Sequence, residues 1–243
     1  MTNELLLIAT LVVLYGSVLL WFRLFGEKGL IALTVLATVA ANIEVLILIE
    51  AFGMEMTLGN ILFAVTFLIT DILSEISGKK AAQQAVWGGI AGSLLFVIIT
   101  QFWLLYVPAE TDWAMPAIRS IFSVTPRMML ASIAVYAITQ ILDVWLYHRW
   151  WALTARLTGD SRGFLWLRNN GSTLISQFAN TILFTIFAFV GTYSWGTLLS
   201  IALSSYVIFI FTSLLDTPVL YLARRMHEKK QLAAASGGAE KGE

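Results

Sequence analysis

The sequence predicts an all-α, polytopic membrane helix bundle with six core transmembrane helices plus one N-terminal helix, seven in total, N-terminus outside and C-terminus cytoplasmic. Three observations predict it. The 243 residues are 58% hydrophobic and only 12% charged, where a soluble domain carries about 25% charge. Seven stretches each supply the ~20 mostly apolar residues that cross a ~30 Å hydrocarbon core: about 5–22, 29–52, 57–74, 85–107, 127–147, 171–193 and 196–222. Thirteen of the fifteen Lys and Arg fall in one alternating set of loops, ending in Arg224, Arg225, Lys229, Lys230 and Lys241. Arg119 and Arg127 alone fall in the other set, so the first set is cytoplasmic by the positive-inside rule.

Composition also excludes whole classes of function. Fifteen Lys+Arg against fifteen Asp+Glu leave no basic field for nucleic acid. Without Cys there is no disulfide and no thiolate chemistry. The two histidines, His148 and His227, lie in polar loops and form no multi-histidine metal site. No phosphate loop, HExxH or GxSxG motif is present, so no metal, cofactor or enzymatic activity is expected.

The first span follows Glu4 rather than a basic segment and ends at Arg23 and Lys28, unlike a cleaved signal peptide. Residues 1–28 are therefore an additional transmembrane helix ahead of a core at 29–230. Span 2 carries Asn42 and Glu44 near mid-membrane. Being two apart on a helix, they point about 200° apart and cannot share one cavity. Glu50, near the outer end, reaches water by snorkelling. Span 3 is the shortest and the most polar, with Thr66, Thr70 and Asp71; Asp71 and Glu75 are i, i+4 and share a face. Glu75 has a simple alternative partner in Lys79, again at i+4.

Span 4 is followed by an external loop, residues 108–126, with three of the four prolines. Span 5 opens at Arg127 and carries a stripe of Ser132, Tyr136, Gln140 and Asp143, at spacings of 4, 4 and 3. Residues 148–168 mix Arg with Trp and Leu and read as an interfacial amphipathic segment. Span 6 has Thr173, Ser176, Gln177, Asn180 and Thr181; span 7 has Ser205, Thr212 and Asp216. Ser and Thr in such stripes serve helix packing. Gln140, Asn180 and the acids are costly there and mark functional candidates. The tail 231–243 is small and polar and is expected to be disordered.

Asp71, Asp143 and Asp216 recur at intervals of 72 and 73 residues, each near the cytoplasmic end of an outside-to-inside helix. Two readings stand side by side. The three mark repeated helical hairpins around a transport site, or they are end-of-helix ion pairs with Arg149, Arg168 or Arg224.

The chain resembles the queuosine precursor transporter family, also called vitamin-uptake-transporter-like. The resemblance runs from about Ala41 to Tyr221. It rests on Asn42, TDILSEISGKKAA at 70–82, RMMLASIAVYAITQILDV at 127–144, FLWLRNNGSTLISQ at 164–177 and LLDTPVLYL at 214–222. It implies a bacterial inner-membrane carrier that imports 7-deazaguanine bases. It carries over Asn42, Asp71, Glu75, Gly78, Arg127, Gln140, Asp143, Arg168, Ser172, Gln177, Asp216 and Pro218. The sequence departs from the family at three places: a frequent Lys is Ile47 or Leu48 here, a frequent Asp is Asn180, and a second frequent Lys is Phe209. Loss of an acid together with bases leaves no orphan charge.

A planar base of this type needs acceptors for its donor edge, an aromatic face and a counter-charge for a cationic arm. Glu44, or Asn42 with Asn180, suits the edge. Asp71 and Asp143 suit the arm or a coupling proton, with Gln140 and Gln177 as further polar contacts. Tyr136, Phe184 or Phe67 suits stacking. Glu75, Arg127, Arg168 and Asp216 are expected in structural or coupling roles. The expected partners are the lipid bilayer, a purine-like solute and protons, with a homo-oligomer or an ATPase subunit left open. The alternative readings are the substrate-binding subunit of an ATP-driven vitamin importer and a carrier for another vitamin-like solute.

Overall fold

A computed structural model describes residues 2–124, 126–191 and 193–239, with backbone alone at 124, 126–128 and 234–239. In chain order the elements are α1 (Asn3–Glu44), β1 (Leu48–Ala51), β2 (Met54–Thr57), α2 (Gly59–Ile76), α3 (Lys79–Leu105), α4 (Met115–Val124), α5 (Pro126–Thr158), α6 (Leu165–Phe189) and α7 (Trp195–Ala239). Among the described residues, all of the α-helices except α4 are long and apolar enough to cross a membrane.

Helix α1 contains both of the first two expected spans. At ~1.5 Å per residue its 42 residues measure about 63 Å, twice a bilayer core. The chain turns at Gly26, with φ 63° and ψ −144°, a conformation that favours glycine. Across the turn, at the start of the helix, Asn3 donates to the Glu50 carbonyl (2.7 Å) and the Phe52 N–H donates to Glu4 (3.1 Å). The start of α1 thus lies beside the segment that follows its end, so α1 is a hairpin of two passes.

The second pass stops at Glu44, not at residue 52 as its hydropathy implied. Residues 48–57 form a β-hairpin in which Ala51 faces Met54 across Phe52-Gly53. Both turn residues have positive φ (54° and 70°), as a type I′ turn requires. The run Leu48-Ile49 is as apolar as a membrane helix, and β-branched residues beside a turn-former settle it as strand.

Four further features differ from that reading. The external segment contains α4, whose first turn is capped by Asp112 accepting from the Met115 N–H (2.7 Å). Residues 148–158, read as a separate interfacial segment, continue α5 to Gly159, where φ is 70°. Helix α6 starts at Leu165 rather than 171, and α7 runs to Ala239.

Helix α2 is the axis of the bundle: every residue from Gly59 to Ser74 is buried. It is packed by α1, α3, α5 and α7. The outer helices turn their apolar faces outward, with Trp87, Leu95 and Phe102 on α3 and Leu199, Leu203 and Phe211 on α7 exposed, as a lipid-facing surface should be.

Candidate functional site

The polar residues of α2 and α5 meet in successive layers. The Phe63 and Tyr136 rings pack at 6.1 Å. Gln140 comes next, donating to Thr66 (2.9 Å) and accepting from Thr70 (3.1 Å). Asp71 and Asp143 then come within hydrogen-bonding reach of each other. Tyr147 finally donates to Glu75 (2.8 Å). Numbers rise along both helices together, so α2 and α5 run parallel, as helices in corresponding positions of two repeats would. The stripe read on span 5 is thus one wall of a buried polar column.

α6 supplies hydroxyls to the acids: Thr173 donates to Asp71 (3.2 Å) and Ser176 to Asp143 (2.7 Å). Asp216 on α7 stands near both acids and accepts a hydrogen bond from Tyr15 on the first pass of α1. All three aspartates are buried. Ion pairing with Arg149, Arg168 or Arg224 is overturned as their explanation, since none of the three aspartates has a salt bridge among the described residues. Arg149 lies over the Trp145 ring instead.

Both other arginines meet Glu75, and Arg224 also meets Glu228 (3.4 Å) and the Arg162 carbonyl (2.9 Å). Arg168 meets it with two nitrogens, Nε to Oε2 at 2.9 Å and Nη2 to Oε1 at 2.7 Å. Arg224 adds a contact at 3.2 Å. Arg168 also donates to the Gly163 carbonyl (2.7 Å) and lies 4.5 Å over the Trp151 ring. Its side chain is fully buried, yet every face of it is occupied. This clamp joins α2, α5, α6 and α7 below the acids. The simple Glu75–Lys79 pairing is not formed.

At the other end of the column, Asn42 donates to Ser93 on α3 (3.1 Å) and to the Thr38 carbonyl (2.9 Å). The Tyr136 phenol and the Thr38 hydroxyl converge on Gly89: a Cβ there would lie 2.7 Å from the first oxygen and 2.8 Å from the second. Glycine keeps that space open.

Buried polar atoms are normally paired. Here Asn42 Oδ1, Asp71 Oδ1, Asp143 Oδ2, Tyr136 Oη and Gln177 Oε1 are buried without a hydrogen-bond partner. Four of the five are pure acceptors. They belong to α1, α2, α5 and α6, and the Ser74 and Ser132 hydroxyls on α2 and α5 are buried and unpaired as well, so the bundle interior presents unused acceptors together with a few unused hydroxyls.

Of the residues predicted from sequence, the structure brings Asp71, Tyr136, Gln140 and Asp143 into the column, with Asp216 beside it. Asn42 lies at its upper end, and Gln177 and Asn180 are buried on α6. Glu44 is half-buried while Asn42 is buried, in keeping with their opposed directions. The Arg127 side chain lies outside the described residues. Sequence reasoning missed Thr38, Ser93, Tyr147 and Tyr15. Thr34, Thr38 and Asn42 are spaced i, i+4, i+8, a polar face that was there to be read. Nothing local marks Tyr15, whose partner is 201 residues away.

Residues 57–223 match the family described as "Putative vitamin uptake transporter". A relative from Bacillus subtilis (strain 168), named "Probable queuosine precursor transporter", is 38% identical over 209 residues, covering 86% of this chain and 89% of its own. Another from Escherichia coli (strain K12), named "Queuosine precursor transporter", is 27% identical over 171 residues, 70% of this chain and 68% of its own. No solved structure matches.

Proposed function

This chain belongs to the vitamin uptake transporter family and is an integral protein of the bacterial plasma membrane; on that premise we propose that it is a secondary carrier, not an enzyme, that imports queuosine precursors of the 7-deazaguanine type. The observation that carries the reading is the set of unused acceptors in the bundle interior. A 7-deazaguanine presents a ring N–H and an exocyclic amine on one edge, donors for Asn42 or Gln177. Tyr136 and Phe63 offer aromatic surface beside that edge.

Asp71 and Asp143 form a pair with no cation in contact among the described residues. An aminomethyl arm or a transported proton completes it, and Gln140 fixes the layer above by bonding to α2. Glu75 and Arg168 hold the cytoplasmic ends of the helices together. The N-terminus is outside and the C-terminus inside, which puts this clamp on the cytoplasmic side.

Uptake of labelled precursors by cells lacking their own synthesis and import, read as queuosine in tRNA, tests the proposal. Rescue by this chain alone is expected. No rescue by well-expressed protein overturns the assignment of substrate, and rescue only with a co-expressed ATPase overturns the carrier class.

A further inference from the structure

The three aspartates pose a problem of charge. They converge from α2, α5 and α7, while the nearby arginines are committed elsewhere, Arg168 to Glu75 and Arg224 to Glu75 and Glu228. A single proton or a singly charged arm cannot balance three carboxyls. Each of the three accepts one hydroxyl, from Thr173, Ser176 and Tyr15, but Asp71 and Asp143 each keep a buried oxygen without a partner; the phenol adds no charge and steadies Asp216 through its hydrogen bond. The Tyr15 hydroxyl, buried on the first pass of α1, donates to Asp216 and lies 3.2 Å from the Thr212 carbonyl one turn earlier. A phenol has one proton to give, and a carboxylate is the stronger acceptor.

We propose that Tyr15 is a positioning residue of the transport site: it holds Asp216 on α7, so that the Asp71–Asp143 pair alone meets the cargo. The inference rests on reading that pair as the working site. It also gives the first pass of α1 a role. Tyr15 precedes residue 57, where the family match begins, so the matched segment does not itself contain this donor. Without the phenol, Asp216 becomes a third unmatched acid beside the pair and competes for whatever the pair binds.

The test is a double-mutant cycle with two readouts. Tyr15→Phe should lower the thermal midpoint of the purified protein by roughly 5 °C, the scale of one hydrogen bond to a charged group. In an Asp216→Leu background, which has no side-chain acceptor for the phenol, it should lower it much less. This readout needs no substrate and stands even if the cargo has been misassigned. In the uptake assay, Tyr15→Phe should reduce Vmax about tenfold, equivalent to one such bond, and Tyr15→Phe/Asp216→Asn should recover most of that loss. Equal midpoint losses in both backgrounds would show that Tyr15 merely fills space, and overturn the proposal. Normal uptake by Tyr15→Phe, or a loss that Asp216→Asn does not relieve, overturns it too. Absence of uptake by the unmodified chain instead counts against the assigned function, leaving the midpoint cycle to decide the contact.

Discussion

At the scale of single residues, the two kinds of buried charge in this protein behave differently. Glu75 and Arg168 satisfy each other, so removing one partner strands the other. Arg168→Ala should cost about 3–5 kcal/mol of stability, as breaking a buried pair does. The paired replacement Glu75→Gln/Arg168→Gln should cost less than Arg168→Ala, a comparison that denaturation in detergent can make. Asp71 and Asp143 do not satisfy each other. Asp71→Asn should leave the fold standing, since Thr173 still finds an oxygen there, and should abolish uptake. Normal transport by a well-expressed Asp71→Asn would remove Asp71 from the site. Sequence made the acids legible, because a charge inside a span stands out at once. It could not sort Glu75, a clamp, from Asp71, a site candidate, since both lie on one helix face and their partners lie far along the chain, 72 and 93 residues from Glu75 and 102 from Asp71.

At the scale of elements, the parallel α2 and α5 were readable from their polar spacing and from the recurrence of Asp71 and Asp143. Their layer-by-layer pairing was not, because which helix neighbours which depends on tertiary packing. The β-hairpin escaped for a different reason. Its strands are as hydrophobic as the span before them, and hydropathy cannot see a change of backbone conformation. Helix α3 meets the column at Ser93 and at Gly89, and at the latter it comes this close because glycine lacks a side chain. Gly89→Ala should press on Tyr136 and Thr38, cost about 1–3 kcal/mol through overpacking, and raise KM for the cargo. Uptake kinetics and a melting curve on the same preparation check both halves of that statement. Gly88→Ala is the control, since a Cβ there meets nothing closer than 3.4 Å.

At the scale of the whole molecule, a two-pass α1 followed by five single crossings is expected to put the chain's ends on opposite faces of the bilayer. Cysteine labelling from either side should therefore modify positions 3 and 230 in opposite compartments, with position 3 outside. The enclosure of α2 also has a consequence for how the protein is made. This helix carries Asp71 and two threonines, and a charged residue inside a span raises the cost of partition from the translocon by up to ~3 kcal/mol at the centre. Its shelter includes α5 and α7, which are synthesised afterwards. Nascent chains cut after α3 should thus leave a glycosylation acceptor placed at Gly78 unevenly distributed across the membrane, while full-length chains place it uniformly. On that expectation the helix at the heart of the bundle is the last to settle, and synthesis of the C-terminal half is what would retain it in the bilayer.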